Sequence, residues 1–503
     1  MNYDISLLHV GIKNTIEKYP LEDKVTWKHV MPAEYEQMSQ KERDAYQVLL
    51  MEEEYPEVVE HPERVPAYSL IFVQGQVAPT LRTQEMIRKC GGVLLEEYQV
   101  PSYFANLSGA YYSGQYGSKF HTKDIQFTFQ SHHPIAYEGN ERAVVQGNFG
   151  EQFTGICSWR TNIPVEPGEA LELWLEYTKS PQVEMELRVY YILSGTTYIK
   201  RTVTLSQADL SSDKPVQLPV DQERILIAVS LEAKGKGELK LGNLHYRYSH
   251  LGDGTMIRGG QKAQDSGRNE FYSYFNPGDF KPPLAVYFSG YRTAEGFEGY
   301  NIMKSLGCPF LLIGDPRLEG GAFYMGSEEF ELKVENCIRA TLGQLGFTNE
   351  QLIISGISMG STGAIYYGAK LLPHTIIVGK PLLNIGSIAE NEKIHRPGGF
   401  PTSLDVLKML TGGIGPKEVE QANAHMWNRV EQADFSRTSF AISYMREDDY
   451  DRTGYQDLIA HLSGKKVFIY GKGMTGRHND NTGGVVEWFM ARYRHVLKDS
   501  FGR

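Results

Sequence analysis

The stretch ISGISMGSTGA, which contains Ser358, has the pattern G-x-S-x-G directly after a run of apolar residues. A serine at this spacing is typical of a nucleophile elbow, in which a sharp strand-to-helix turn exposes the hydroxyl. Gly356 and Gly360 allow that turn, because a side chain at either position would collide across it. Ser358 is therefore the candidate nucleophile, and Ser355 and Ser361, which lack such flanking glycines, are second choices.

A serine hydroxyl is a weak nucleophile, so this chemistry needs a base that takes its proton and a carboxylate that orients the base. His478 lies in the glycine-rich stretch GKGMTGRHNDNTGG, after the last predicted strand. Three consecutive carboxylates, Glu447, Asp448 and Asp449, follow an earlier predicted strand in SYMREDDYD. The resulting order of serine, acid and histidine is that of an α/β-hydrolase triad.

The chain has 14 histidines, most of which are expected to be ordinary surface or structural residues. Several late histidines precede the carboxylate run or fall within helical patterns, and these are His374, His395, His425, His461 and His495. His478 combines a loop position with the required place in the order. On spacing alone, the carboxylate that orients it stays open among the three.

The negative oxygen of a tetrahedral intermediate needs hydrogen-bond donors that are already in place. One donor is expected to be the backbone N–H of Met359, directly after the candidate nucleophile. The second is expected in the loop after the strand LAVYFSG, where Gly290 permits an unusual turn and the N–H of Tyr291 would point inward. These two N–H groups form the predicted oxyanion hole.

The elements that must position these residues alternate between short apolar strands and helices from about residue 282 onward. This alternation predicts a parallel-rich sheet flanked by helices on both faces. Ser358 follows one strand and precedes the helical stretch STGAIYYGAKLL, as an elbow requires. We therefore predict an α/β-hydrolase-like catalytic domain over residues 275–503. Its expected strands cover residues 284–290, 310–315, 351–356, 375–380, 440–445 and 466–470.

Two other patterns precede this domain. Residues 1–120 combine a buried strand YSLIFVQG, a helix TLRTQEMIRKCGG and a further strand VLLEEYQV, which indicates a small α/β unit. Residues 121–255 alternate in polarity, as in LELWLEYT, which predicts an antiparallel β-sandwich of jelly-roll type with one solvated face per sheet. Most of its aromatic residues are expected to lie in the core. The alternative is that they bind a glycan or a partner. They include Trp159, Trp174, Tyr190, Tyr191 and Tyr198.

Composition places the chain among globular proteins, since 41% of its 503 residues are hydrophobic and 22% are charged. A net charge of −10 gives no reason to expect nucleic-acid binding. The four cysteines form no C-x-x-C pair, and neither a metal nor another bound cofactor is expected. Because we find no signal-peptide pattern and no run of about 18 apolar residues, we expect a cytoplasmic protein that is at most peripheral at the inner face of the membrane.

The elbow GISMGSTGA, the carboxylate turn SYMREDDYD and the histidine loop GMTGRHND resemble the second accessory secretory protein family of the streptococcal and staphylococcal accessory Sec system. The resemblance covers the full length of the chain. It implies Ser358 as nucleophile, His478 as base and Asp448 as acid. It also implies several partners: other accessory Sec proteins, a SecA-like motor, and a serine-rich-repeat glycoprotein adhesin whose N-acetylglucosamine is O-acetylated.

Elbow chemistry alone does not separate an acyltransferase from an esterase, because both form an acyl-enzyme and only the second nucleophile differs. Three hypotheses follow: an O-acetyltransferase that modifies the adhesin before export, a non-catalytic export scaffold, and a plain carboxylesterase. The resemblance favours the first, combined with a role in export. The acetyl donor stays unidentified at this stage.

Overall fold

The computed structural model describes residues 4–128 and 134–503. Its strands form three sheets that follow one another along the chain. The predicted fold class is confirmed, because a small α/β unit and an antiparallel unit precede an α/β-hydrolase-like unit. Among the described residues, no helix combines the length and apolar composition needed to cross a bilayer. Short 3-10 helices cover Ile16–Lys18, Pro62–Arg64, Glu97–Gln99, Thr122–Asp124 and Asn349–Gln351.

The first unit is a five-stranded, fully parallel sheet with short helices. Its strands are β1 (Ile5–Val10), β2 (Val25–Val30), β3 (Val48–Met51), β4 (Leu70–Gln74) and β5 (Val93–Glu96). Its helices are α1 (Pro32–Gln37), α2 (Gln40–Arg43), α3 (Pro56–Val59), α4 (Leu81–Cys90), α5 (Val100–Phe104) and α6 (Leu107–Tyr111). The strand order is β2-β1-β3-β4-β5.

The predicted strand VLLEEYQV is wrong in its second half. Strand β5 stops at Glu96, and a 3-10 turn followed by α5 replaces the rest. Pro101 lies in the first turn of α5, where proline favours the start of a helix. Helix α4 ends as predicted, at Gly91 with a φ of 64°.

The described strands of the middle unit all pair in antiparallel fashion. Its strands are β6 (Gly117–Phe120), β7 (Ile125–Phe127), β8 (Ile135–Glu138), β9 (Arg142–Trp159), β10 (Ile163–Val165), β11 (Leu171–Lys179), β12 (Glu184–Leu193), β13 (Ile199–Leu205), β14 (Val216–Gln217) and β15 (Ile225–Tyr248), with one described helix, α7 (Gln207–Ser211). The 24-residue β15 pairs with β6, β9, β10, β11 and β12, so hydrogen bonds join the described strands into one network. Trp159 and Tyr191 are buried in the core, as expected, whereas Tyr198 is 64% exposed. Trp174 is buried against the cations of Lys262 and Arg268 instead.

The prediction of a solvated polar face is wrong where β11 and β15 meet the third unit. Glu176, His245 and Arg247 alternate with apolar neighbours, yet their exposed fractions are 6%, 0% and 1%. Glu270 and Glu295 of the third unit pair with His245 and Arg247, and Glu176 pairs with His245 and Arg142 within the middle unit. The polar face of the middle unit is therefore a buried interface at this place.

The third unit holds the candidate site. Its strands are β16 (Gly260–Gln264), β17 (Glu270–Asn276), β18 (Leu284–Phe288), β19 (Phe310–Gly314), β20 (Leu352–Ile357), β21 (Thr375–Gly379), β22 (Ser439–Met445) and β23 (Phe468–Met474). Its helices are α8 (Tyr300–Lys304), α9 (Glu328–Leu345), α10 (Met359–Leu371), α11 (Ile385–Ile394), α12 (Thr402–Thr411), α13 (Pro416–Gln432), α14 (Gly454–Leu462) and α15 (Thr482–Phe501).

The third sheet has the strand order β16-β17-β19-β18-β20-β21-β22-β23. Only the pairings of β17 with β16 and with β19 are antiparallel, and all others are parallel. The sheet starts at Gly260, ahead of the boundary predicted at residue 275. Strands β20, β22 and β23 end at the same edge, because parallel strands bring their carboxyl ends together. The loops after these strands carry the three predicted site residues.

Candidate active site

The elbow places Ser358 between β20 and α10 in a backbone conformation that is rare for a residue with a side chain. Its φ is 57° and its ψ is −123°. A Cβ at Gly356 would lie 2.2 Å from the carbonyl oxygen of Gly360, and a Cβ at Gly360 would lie 2.1 Å from that of Phe288. Both glycines are therefore needed for the turn, as the sequence predicts.

A hydrogen-bonded chain joins the three residues that the sequence analysis brought together. Oγ of Ser358 lies 2.8 Å from Nε2 of His478, and Nδ1 of His478 lies 2.8 Å from Oδ2 of Asp448. His478 is buried, while Ser358 is half-buried. This arrangement can move a proton from a serine hydroxyl to an imidazole whose orientation a carboxylate fixes.

The orientation of the Asp448 carboxylate is fixed by its own loop. Oδ1 of Asp448 accepts hydrogen bonds from the backbone N–H groups of Tyr450 at 2.9 Å and Asp451 at 3.1 Å. Its other oxygen, Oδ2, is then directed at the imidazole of His478. The acid implied by the family resemblance is thus the one that contacts the ring.

The two neighbouring carboxylates hold the backbone of the histidine loop. Oδ1 of Asp449 accepts a hydrogen bond from the backbone N–H of His478 at 3.0 Å, and Oδ2 lies 3.1 Å from Arg396. Glu447 accepts a hydrogen bond from the backbone N–H of Gly476. The three consecutive acids therefore have separate tasks, which spacing alone did not reveal.

The two predicted oxyanion donors follow two paired strands, β20 and β18. Met359 is the first residue of α10, and the first N–H groups of a helix have no acceptor within the helix. The start of α10 also carries the positive end of the helix dipole, which favours negative charge nearby. Tyr291 follows β18, the strand that pairs with β20.

The N–H groups on both sides of Tyr291 are already bonded. Gly290 donates to the carboxylate of Glu298, and Arg292 donates to the carbonyl oxygen of Gly320 at 3.1 Å. Between them, the N–H of Tyr291 has no acceptor among the described residues. It is left available for a ligand, and its part in an oxyanion hole stays a prediction.

The sequence analysis did not identify an aromatic wall beside the imidazole. The ring of Tyr450 lies edge-on to His478 with centroids 4.7 Å apart, and Phe400 links Tyr450 to Tyr291 at 5.7 and 5.3 Å. The guanidinium of Arg396 lies 4.1 Å from the centre of the Tyr450 ring. Tyr291 follows β18, Arg396 and Phe400 lie between α11 and α12, and Tyr450 follows β22, so no local sequence pattern could have grouped them.

Lys380 is a further residue near the site that the sequence analysis did not identify. It follows β21, and its ammonium donates to the carbonyl oxygen of Asp480 and to Oγ1 of Thr482, both at 3.0 Å. Burial lowers the pKa of Lys380, and the nearby carboxylates of Asp448 and Asp480 oppose that change. Lys380 thus fixes the far side of the loop that carries His478.

Comparison with known proteins places this chain in a family. The family described as "Accessory Sec system GspB-transporter" matches residues 5–503. An accessory Sec system protein of Streptococcus gordonii is 40% identical over 441 residues, which are 88% of this chain and 86% of that protein. Another from Staphylococcus aureus is 42% identical over 399 residues, which are 79% of this chain and 76% of that protein.

A solved structure agrees over the whole length. A chain of the Glycosylation Associate Protein (Gap123) complex from Streptococcus agalactiae is 36% identical, with a TM-score of 0.90 and coverage of 100% of both chains. Agreement at this level extends through all three units rather than the third alone. The chain belongs to the Accessory Sec system GspB-transporter family.

Proposed function

We propose that this accessory Sec system protein is an O-acetyltransferase that acetylates N-acetylglucosamine on a serine-rich-repeat adhesin before export. The observation that supports catalysis is the chain from Ser358 through His478 to Asp448, with 2.8 Å at each contact. Hydrogen bonds of this length allow proton transfer during attack. The glycan acceptor rests on the motifs that this chain shares with its family, and the geometry by itself supports acyl transfer.

In the first half of the reaction, Oγ of Ser358 attacks the carbonyl carbon of an acetyl donor while Nε2 of His478 takes the hydroxyl proton. The N–H groups of Met359 and Tyr291 stabilise the negative oxygen of the tetrahedral intermediate. The intermediate collapses, the bond to the leaving group breaks, and His478 returns the proton to that group. Asp448 stabilises the imidazolium that forms in between.

In the second half, a sugar hydroxyl attacks the acetyl carbonyl on Ser358 and gives its proton to His478. The ester bond to Oγ breaks, the acetyl group stays on the sugar oxygen, and His478 reprotonates the serine. Water in place of the sugar would give acetate, which is the reaction of a carboxylesterase. The identity of the second nucleophile therefore defines the function.

Partners follow from the same family. This chain belongs to an accessory Sec family and is similar over its full length to a chain of the Gap123 complex, which supports other accessory Sec proteins as partners. The SecA-like motor and the adhesin belong to the same proposal. The first and middle units, which precede the catalytic unit, supply surface for such partners, so a role in export is compatible with catalysis.

The test is mass spectrometry of adhesin glycans from cells that carry Ser358→Ala, with adhesin secretion measured in parallel. We expect secreted adhesin whose glycan lacks acetyl groups. Ser387→Ala, a change at an exposed serine on α11, is the matched control and should behave as the wild type. Acetylated glycan in the Ser358→Ala cells would disprove catalysis. Lost secretion with a folded variant would instead assign the site to export.

A further inference from the structure

The loop between β18 and α8, residues 289–299, is here named the oxyanion loop because it carries Tyr291. Its first half is held within the third unit. Ser289 donates its backbone N–H to the carbonyl oxygen of Ile313 at 2.9 Å, and Arg292 donates to Gly320 at 3.1 Å. These bonds fix the loop from Ser289 to Arg292.

Residues that precede the third unit hold much of the second half of the oxyanion loop, and Tyr272 of β17 adds bonds to both backbone groups of Gly296, at 3.0 and 3.3 Å. Glu295 forms a β-bridge with Gly117, and its N–H donates to the carbonyl oxygen of Gly117 at 2.8 Å. The side-chain amide of Gln115 bonds both backbone groups of Phe297, at 2.5 Å to its N–H and 2.7 Å to its carbonyl oxygen. Gln115, just before β6, and Gly117, the first residue of β6, therefore help to fix the backbone of this half.

Two charged residues of β15 hold the side chain of Glu295. Nε of Arg247 lies 2.6 Å from one carboxylate oxygen, and Nδ1 of His245 is hydrogen-bonded to the other. The exposed fractions of Glu295, Arg247 and His245 are 4%, 1% and 0%. A buried carboxylate is stable only when its partners are in place, so this contact leaves the loop little freedom.

Glu270 completes this buried group. Ligand atoms of His245, Glu270 and Glu295 lie within 4.8 Å of one another, a spacing at which three such residues can hold a metal ion. The guanidinium of Arg247 bonds both carboxylates and already supplies the compensating positive charge. The group is therefore an ionic contact between the middle and third units.

Glu298 connects the anchored half to the predicted oxyanion donor. It directly follows Phe297, which Gln115 holds, and its carboxylate accepts the N–H of Gly290. Gly290 is the residue directly before Tyr291 in the sequence. A shift of the loop around Phe297 would therefore move the N–H of Tyr291 relative to Ser358.

We propose that Gln115, His245 and Arg247 are positioning residues of the oxyanion hole, so that the middle unit and the segment leading into it complete the acyl-transfer site. The inference rests on the proposed function. An oxyanion donor is effective only when it is held in place before the charge develops. The part of the chain that precedes the catalytic unit thus contributes to the reaction itself, in addition to any partner it binds.

Gln115→Ala in the full-length protein tests this inference with little risk to folding, since the residue is uncharged and half-buried. The readouts are the rate at which a fluorophosphonate labels Ser358, and kcat and KM for an activated acetate ester. We expect labelling and kcat to fall about tenfold, below the 10²–10³ loss seen when an oxyanion donor is removed outright. KM should change less than about twofold, and the pH profile should keep its shape, because the triad is untouched.

Gln264→Ala is the matched control. Its side-chain amide donates to Asp213 at 2.9 Å and so also joins the middle and third units, but away from the oxyanion loop. A second pair tests the ionic contact: Glu295→Ala should lose activity as Gln115→Ala does, and Glu295→Gln, which can still bond Arg247, should retain more. Hydrogen exchange should rise in residues 289–299 of Gln115→Ala and stay unchanged in residues 354–364.

The outcomes separate the two proposals. Wild-type labelling rates in both Gln115→Ala and Glu295→Ala would overturn the positioning role while Ser358 chemistry stands. An equal loss in Gln264→Ala would also overturn it, since any contact between the units would then suffice. A wild-type protein that the probe does not label at Ser358 would overturn the proposed function and this inference with it.

Discussion

Oδ2 of Asp448 lies 2.8 Å from Nδ1 of His478, whereas Asp449, the next residue, accepts the backbone N–H of the same histidine. Adjacent carboxylates thus hold the ring and the main chain of one residue. The ring contact sets the tautomer and stabilises positive charge on the imidazole. The main-chain contact sets only the position of the loop.

Replacing these two acids separately should therefore give unequal losses. Asp448→Asn keeps the size of the side chain but removes the charge, and kcat should fall by about 10⁴, the loss known for the equivalent change in serine proteases. Asp449→Asn keeps the ring contact and should cost less than about tenfold. Steady-state kinetics with an activated acetate ester measure both. A larger loss in Asp449→Asn would show that the acid is assigned to the wrong residue.

Backbone strain at Ser358 gives a prediction about stability. The φ of 57° and ψ of −123° disfavour any residue with a Cβ, and such strain costs about 1–3 kcal/mol. Ser358→Gly and Ser358→Ala both remove the nucleophile, but only glycine relieves the strain. Glycine also adds entropy to the unfolded chain, which offsets part of this gain. The free energy of unfolding of Ser358→Gly should therefore exceed that of Ser358→Ala by about 1 kcal/mol.

Urea denaturation of the two variants measures this difference, and both should be inactive. The comparison is internally controlled, because the hydroxyl is absent from each. Equal stabilities, or a less stable glycine variant, would show that the elbow is relaxed rather than strained.

The buried contact between Glu176 and His245 predicts a pH dependence of stability. The two side chains lie 2.9 Å apart. Burial alone would raise the pKa of Glu176, but the hydrogen bond and charge of His245 lower it to about 2, from 4.5. Because the folded pKa is below the unfolded one, this stabilisation is complete above about pH 4.5 and is lost as the pH falls toward 2.

The free energy of unfolding of the wild type should therefore fall between about pH 5 and pH 3, and Glu176→Gln should show a shallower decrease over the same interval. Urea denaturation at several pH values measures both slopes. Glu238→Gln, a change at a partly exposed acid on β15, serves as a control for the removal of one charge. Parallel curves for the wild type and Glu176→Gln would contradict a depressed pKa.

The elbow could be predicted from sequence because its constraints are local. Gly356 and Gly360 are required by the turn itself, and the apolar strand before Ser358 and the helix after it are visible in a short window. The place of His478 followed from chain order, since each strand of the parallel sheet delivers its loop to the same edge. The assignment of Asp448 among its neighbours needed the family resemblance.

The contacts between units could not be predicted in this way. His245 and Arg247 alternate with Leu244 and Tyr246, a pattern that separates one face from the other but does not say what covers the polar face. The hairpin of β16 and β17 was missed for a related reason. The stretch GQKAQ forms an edge strand with few apolar residues, so it resembles a polar linker.

The choice between transfer and hydrolysis is decided at the acyl-enzyme, which both reactions share. A fluorophosphonate or a small activated ester should react with Ser358 in either case, because labelling needs only the triad and the oxyanion donors. A transferase must in addition favour a sugar hydroxyl over water. We expect an adhesin that carries N-acetylglucosamine to divert the acetyl group from water to sugar as its concentration rises.

Partitioning between free acetate and acetyl-sugar across an acceptor titration measures this preference, with Ser358→Ala as the blank. At a fixed concentration of an activated acetyl ester, the yield of acetyl-sugar should increase with acceptor and that of acetate should fall. Unglycosylated adhesin is the matched control, because it offers the same polypeptide without the sugar hydroxyls and should leave acetate release unchanged. Acetate release that persists at every acceptor concentration, with Ser358 turning over normally, would favour a carboxylesterase, since water would then be the preferred second nucleophile.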